Sequence, residues 1–150
     1  MNSLLRIAAL ALALATSAAS AEELFMARSP LSFPEAMLAL QEAITKRGYV
    51  LSRVQHVDVG LTEMGFATDK YRIVFFGKPD EIRGLSARYP QLVPYLPLQV
   101  TIFAEGEETL VVGADPLMLR RLVNDAALTP VLQRWHDDLV VMMESLRRLD

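Results

Sequence analysis

His56 and Asp58 are separated by one residue within a stretch rich in β-branched side chains, and Glu63 follows five positions later. Alternate residues of an extended strand share a face, so this spacing aims an imidazole and a carboxylate the same way, with a second carboxylate in the loop beyond. One histidine and two carboxylates can hold a divalent cation, or divide the work of general acid and base. Two polar residues on one strand face are equally what a solvated face contains, and the second histidine, His136, is far along the chain. No residue is therefore assigned as catalytic or as a metal ligand, and no cofactor is implied. A basic group lies nearby: Asp69-Lys70-Tyr71-Arg72 opens the next predicted strand and Lys78 follows its end. Turned into a cleft, Arg72 and Lys78 would clamp a carboxylate or phosphate. The plainer account pairs Arg72 with an acid on a neighbouring strand. His56, Asp58, Arg72 and Lys78 are the candidate binding residues.

Several chemistries are excluded. A serine-hydrolase elbow needs Gly-x-Ser-x-Gly on a strand-to-helix turn, and the nearest approach, Gly84-Leu85-Ser86-Ala87-Arg88, lacks the second glycine and falls in a predicted helix. Neither a phosphate-cradling nor a dinucleotide-binding glycine loop occurs. The chain has no cysteine, which removes thiol nucleophiles, thiolate zinc sites and disulfides. With 15 basic against 18 acidic residues and a net charge of −3, it lacks the basic footprint of a nucleic-acid binder. Glu105, Glu107 and Glu108 around Gly106 carry oxygen enough for calcium, yet a hairpin tip needs polar residues in any case.

The elements that must position these groups are marked by their punctuation. Residues 24–27 suit a first strand, ended by Ser29-Pro30. Ser32-Phe33-Pro34-Glu35 is a capping box with proline in the first turn. The helix it opens should bury Met37, Leu38, Leu40 and Ile44 and stop at Gly48. Residues 49–59 read as one long strand with neither face cleanly apolar, residues 60–70 as a loop, and residues 71–76 as a strand apolar enough on both faces to have neighbours on each side. Residues 80–89 form a short helix with Leu85 inward. Residues 98–104 and 109–112 flank a glycine-containing hairpin tip. Asp115-Pro116 opens a helix running to Val123, and Thr129-Pro130 opens the last one. In that last helix Leu132, Trp135, Leu139, Met142, Leu146 and Leu149 form one stripe, and Arg134 with Asp138 and Glu144 with Arg148 are spaced as i,i+4 pairs. The stripe is expected to dock on the protein's own sheet. Strands grouped between helices, without a repeated βαβ unit, predict an α+β two-layer sandwich.

The N-terminus raises the chain's apolar content to 52 % and its mean hydropathy to +0.25, since 15 of the first 21 residues are apolar. Arg6, the apolar run at residues 7–15 and Ala19-Ser20-Ala21 form a secretory signal, with cleavage expected after Ala21. The run is about half the ~20 apolar residues that a retained anchor needs. A domain of residues 22–150, periplasmic or secreted, would then be held together by packing without disulfides.

Val74-Phe75-Phe76-Gly77-Lys78-Pro79, then Tyr95-Leu96-Pro97-Leu98-Gln99-Val100, a hairpin, and Ala114-Asp115-Pro116 follow one another in an order that resembles the bacterial "domain of unknown function 302" family. That family has a Phe-Gly-Asn-Pro type turn, a Leu-Pro pair and an Asp-Pro at corresponding places, with Lys78 here in place of the asparagine. The resemblance covers about residues 24–124. It implies a curved, mostly antiparallel sheet with helices on one face, similar to the TATA-binding-protein-like group, to which a long C-terminal helix is added here. It implies no reaction and no catalytic residues.

Together these readings predict an exported binding or interaction module, with a second copy of the chain or a small apolar or anionic ligand as partner. The alternative is a metal-assisted or acid–base enzyme built on His56, Asp58 and Glu63. Convergence of His56, Asp58, Arg72 and Lys78 in one concave site would favour an enzyme or anion binder; dispersal would favour interaction.

Overall fold

The computed structural model describes residues 23–147, so the expected export signal, Arg148 and Leu149 lie outside the described residues. Strand β1 (Leu24–Ser29) leads into helix α1 (Phe33–Lys46). The Glu35 carboxylate accepts from the Ser32 backbone N–H at 3.2 Å and from its hydroxyl at 2.6 Å, fixing the first turn. Gly48, at φ +76°, turns the chain out of the helix. Ala36, Leu40 and Ile44 are fully buried at a spacing of four, while Leu38, expected inward, is 60 % exposed because it falls on the opposite side of that stripe.

The predicted strand 49–59 is two elements, β2 (Val50–His56) and the short helix α2 (Val57–Glu63). Val57 and Val59 favour extension, but Asp58 lies in the first helical turn, where its charge opposes the dipole, and its carboxylate reaches Arg72. Asp58 and His56 therefore do not share a strand face. A bulge between Leu51 and Arg53 shifts the alternation, so that Leu51 and Val54 lie opposite the buried Phe76 and Val74. This is why a regular alternation finds no apolar face in the sequence.

Strand β3 (Tyr71–Gly77), helix α3 (Pro79–Arg88), a 3-10 segment (Pro90–Tyr95) and the hairpin of β4 (Leu98–Glu105) and β5 (Glu108–Ala114) follow. The helix expected from Asp115 is a 3-10 turn over Pro116–Arg121, capped by the Asp115 carboxylate on the Leu117 N–H at 2.9 Å. Helix α4 (Thr129–Arg147) ends the described chain.

The five strands are antiparallel in the order β1-β5-β4-β3-β2. Consecutive strands β1 and β2 thus occupy opposite edges, and α1 must cross the sheet to join them. Helix α4 packs beside it, and the stripe of Leu132, Trp135, Leu139, Met142 and Leu146 is at most 2 % exposed. That stripe is spent on the chain's own core. Beneath it run rows such as Ala27–Val111–Ile102 and Gly113–Val100–Val74.

Gly77 closes β3 where space is tightest: a Cβ there would lie 2.9 Å from Ile82 Cγ1 and 3.5 Å from Pro97 Cβ, whereas one at Gly84 in α3 meets nothing within 4 Å. Gly77→Ala should lower stability by about 1–2 kcal/mol, and Gly84→Ala should raise it by roughly 0.5–1 kcal/mol. Urea denaturation of the two variants checks both signs.

Candidate functional site

The sequence-predicted site residues divide between two ends of the sheet. At one end His56 closes β2, exposed and directly opposite Arg72. Arg72 forms an ion pair with Asp58 in which each side chain is 15 % exposed, and its guanidinium lies 5.7 Å from the centre of the Phe33 ring. The Arg72 hydrogen bond holds the Asp58 carboxyl below the usual carboxylate range. Arg72 thus pairs with an acid as expected, but one on α2 instead of a neighbouring strand. Glu63 ends α2, exposed. No three of His, Asp and Glu come together as a metal-holding group among the described residues. Lys78 lies beyond the other end of β3, roughly 20 Å of strand away, with its ammonium 5.0 Å from the centre of the Tyr49 ring. The four candidates do not form one pocket.

Around Tyr49 the fold assembles a polar network that sequence reasoning missed. The buried Tyr49 donates its hydroxyl proton to Asp138 at 2.6 Å, and the same oxygen accepts from Arg134 at 3.3 Å. Arg134 also pairs with Glu81, and Arg47 lies 3.4 Å from Asp138. Arg134 and Asp138, spaced as an i,i+4 pair, thus find partners on other elements. Burial first, and then the Asp138 bond, push the Tyr49 pKa up, which keeps this hydroxyl protonated and unfit as a nucleophile or base. The network ties α1, α3 and α4 together. The partners are 53 to 91 positions apart, so no local pattern announces them. His136 is also engaged, with Nδ1 3.0 Å from Asp115 and its ring 5.1 Å from that of Phe25.

The other sheet face has a different character. Alternation against the buried rows places Leu24, Met26 and Arg28 of β1, Leu110 and Val112 of β5, Thr101 and Phe103 of β4, and Tyr71, Ile73 and Phe75 of β3 on it. Leu24 and Met26 are 56 % and 51 % exposed. Tyr71 and Phe103 meet edge to face, their centroids 6.3 Å apart. They wall a shallow notch of about 290 Å³ with Thr68, Asp69, Lys70 and Ala104. Among the described residues both long helices lie on the opposite face and leave this one without a helical layer, although Leu110, which stands opposite Arg28, is only 6 % exposed. Phe76, grouped in sequence with these aromatics, belongs instead to the core against Tyr49. Charge is confined to the ends: Arg28 bridges Glu105 and Glu108 at the hairpin tip, and Arg53 stands opposite Phe75.

Architecture and site together define a two-layer α+β domain, one sheet face packed under helices and the other open. The family "Domain of unknown function DUF302" matches residues 25–146, and the chain belongs to that family. Among solved structures it is similar to the crystal structure of an uncharacterized conserved protein DUF302 from Bacillus stearothermophilus, with a TM-score of 0.75 and 20 % identity over 85 % of this chain and 100 % of that one. No curated protein matches the chain.

Because Arg72 depresses the Asp58 pKa, their pair stabilises the fold above the unfolded carboxyl value of about 3.9 and loses that effect as pH falls through the lower folded value. Arg72→Met should therefore be less stable than the parent at pH 6, with a gap that narrows below about pH 4. Denaturant titrations across that range test it; a gap independent of pH would count against the pair.

Proposed function

We propose that the chain is an exported, non-enzymatic binding module that works through the open face of its sheet. The observation that carries this reading is the row of Met26, Val112, Thr101 and Ile73 beside Phe103 and Tyr71, on the sheet face that neither long helix covers. Contiguous apolar surface of this extent is characteristic of interaction sites. The notch on this face, about 290 Å³, is shallow and set at one margin. Small-molecule sites enclose most of their ligand, so a broad partner surface suits this geometry better than a small apolar or anionic ligand. Export is supported by the signal pattern of residues 1–21, and no helix among the described residues is long and apolar enough to cross a membrane. The metal-assisted alternative is the weaker, since the Asp58 carboxylate is engaged by Arg72 and no three of His, Asp and Glu come together among the described residues.

A photo-crosslinking side chain at Thr101, on the open face, should give a discrete covalent adduct in the exported protein, whereas one at the exposed Gln133 of α4 should give none. Absence of any Thr101 adduct would refute the reading. Intact mass of the protein recovered from the periplasm should correspond to a chain beginning at Glu22; full-length protein confined to the cytoplasm would refute export.

A further inference from the structure

We infer that the partner covering the open face is a second copy of this chain, packed face to face about a two-fold axis that runs across the strands. This rests on the reading of that face as a binding surface and adds the identity and orientation of what binds there. Two-fold homodimers are the commonest closed assembly, and they require a patch that complements itself.

The charges supply that complementarity. At the hairpin end of the sheet, Glu105, Glu107 and Glu108 outnumber Arg28. Toward the opposite end, Arg53 projects from the same face as Phe75 and has no ion-pair partner among the described residues. A two-fold axis along the strands would set acidic tip against acidic tip. An axis across the strands, inclined in the plane of the sheet so that the β2 corner of one copy overlies the β4–β5 hairpin corner of the other, reverses strand direction and brings Arg53 of each copy toward Glu105 and Glu108 of the other, twice. Between these ends the row Met26–Val112–Thr101–Ile73 carries no charge, and the row Leu110–Phe103–Tyr71 is charged only where Arg28 of β1 stands beside Leu110, so the centre has the apolar composition expected of a homodimer interface.

Size sets the strength. Five strands at about 4.8 Å, each with roughly six residues at 3.4 Å, present a footprint of about 500 Å² per copy. Two copies bury roughly 1,000 Å², the low end for a specific interface. The dimer should therefore form and dissociate with concentration.

Sedimentation equilibrium of the exported protein, from micromolar to millimolar concentration, should fit a reversible monomer–dimer equilibrium. Ile73→Asp, with circular dichroism unchanged, should weaken dimerisation at least about tenfold. Arg53→Glu should weaken it several-fold, and adding Glu108→Arg should restore part of the loss. A dimer indifferent to Ile73→Asp would place the contact elsewhere and overturn the inference, and failure of the charge exchange would overturn the orientation. A protein monomeric throughout would overturn the dimer; a Thr101 adduct heavier than one chain, but not of two-chain mass, would then leave the binding face standing with another occupant. No adduct at all would remove both.

Discussion

The placement of β1 and β2 at opposite edges of one sheet governs the rest of the molecule. The chain between them has to travel the full width of the sheet, and it does so as α1. A helix that crosses a sheet must present a continuous apolar stripe to it, which Ala36, Leu40 and Ile44 provide. Once α1 lies across that face, α4 packs beside it, burying Trp135 and its neighbours against α1 and β1. Both long helices are thereby committed to one side. The bare face is a consequence of the topology.

The polar groups reinforce that layer. Tyr49, Asp138, Arg134, Glu81 and Arg47 join three helices where they converge, with every buried side-chain N or O among the described residues satisfied. Asp125 performs a similar task at the far side, accepting from the Tyr89 hydroxyl at 2.7 Å and from the Ala127 N–H at 2.8 Å, and these donors hold its carboxyl below the usual range. Asp58 does so for α2 through Arg72. For Asp125 and Asp58 the donor stabilises the charged carboxylate, the opposite of the raised, poised carboxyl that general-acid chemistry requires.

What the sequence reveals follows the range of the forces involved. Local punctuation was legible: Ser32-Phe33-Pro34-Glu35, Gly48, the glycine-containing hairpin tip and Thr129-Pro130 each mark a boundary that the fold uses. The α4 stripe was legible because 3.6-residue periodicity survives without knowledge of its partner. The start of α2 was not, since two valines outweigh one acidic first-turn residue until Arg72, contributed by β3, is in place. The β2 faces were obscured by a bulge, which a strict two-residue period cannot represent. Among the candidate site residues, the sequence groups His56 with Asp58 and Arg72 with Lys78; the fold sets Arg72 beside His56 and Asp58 instead, and the length of β3 separates it from Lys78. The Tyr49 network depends wholly on tertiary contacts and leaves no local trace.

Sheets also associate through their edges, and here both edges are managed. Arg147 donates to the backbone carbonyl of Met26, occupying an outward group of β1. The β2 edge is interrupted by its bulge, with the Ser52 hydroxyl turned to the Phe75 carbonyl at 3.2 Å, and the chain leaves it directly into α2. Bulges and covered carbonyls discourage a further strand from adding. With strand addition opposed at both edges and the α4 stripe consumed by the core, the remaining contiguous apolar surface of the described sheet is its open face. Association through that face uses side chains alone, so its specificity must come from the rows that project there and from the opposite charges at their ends.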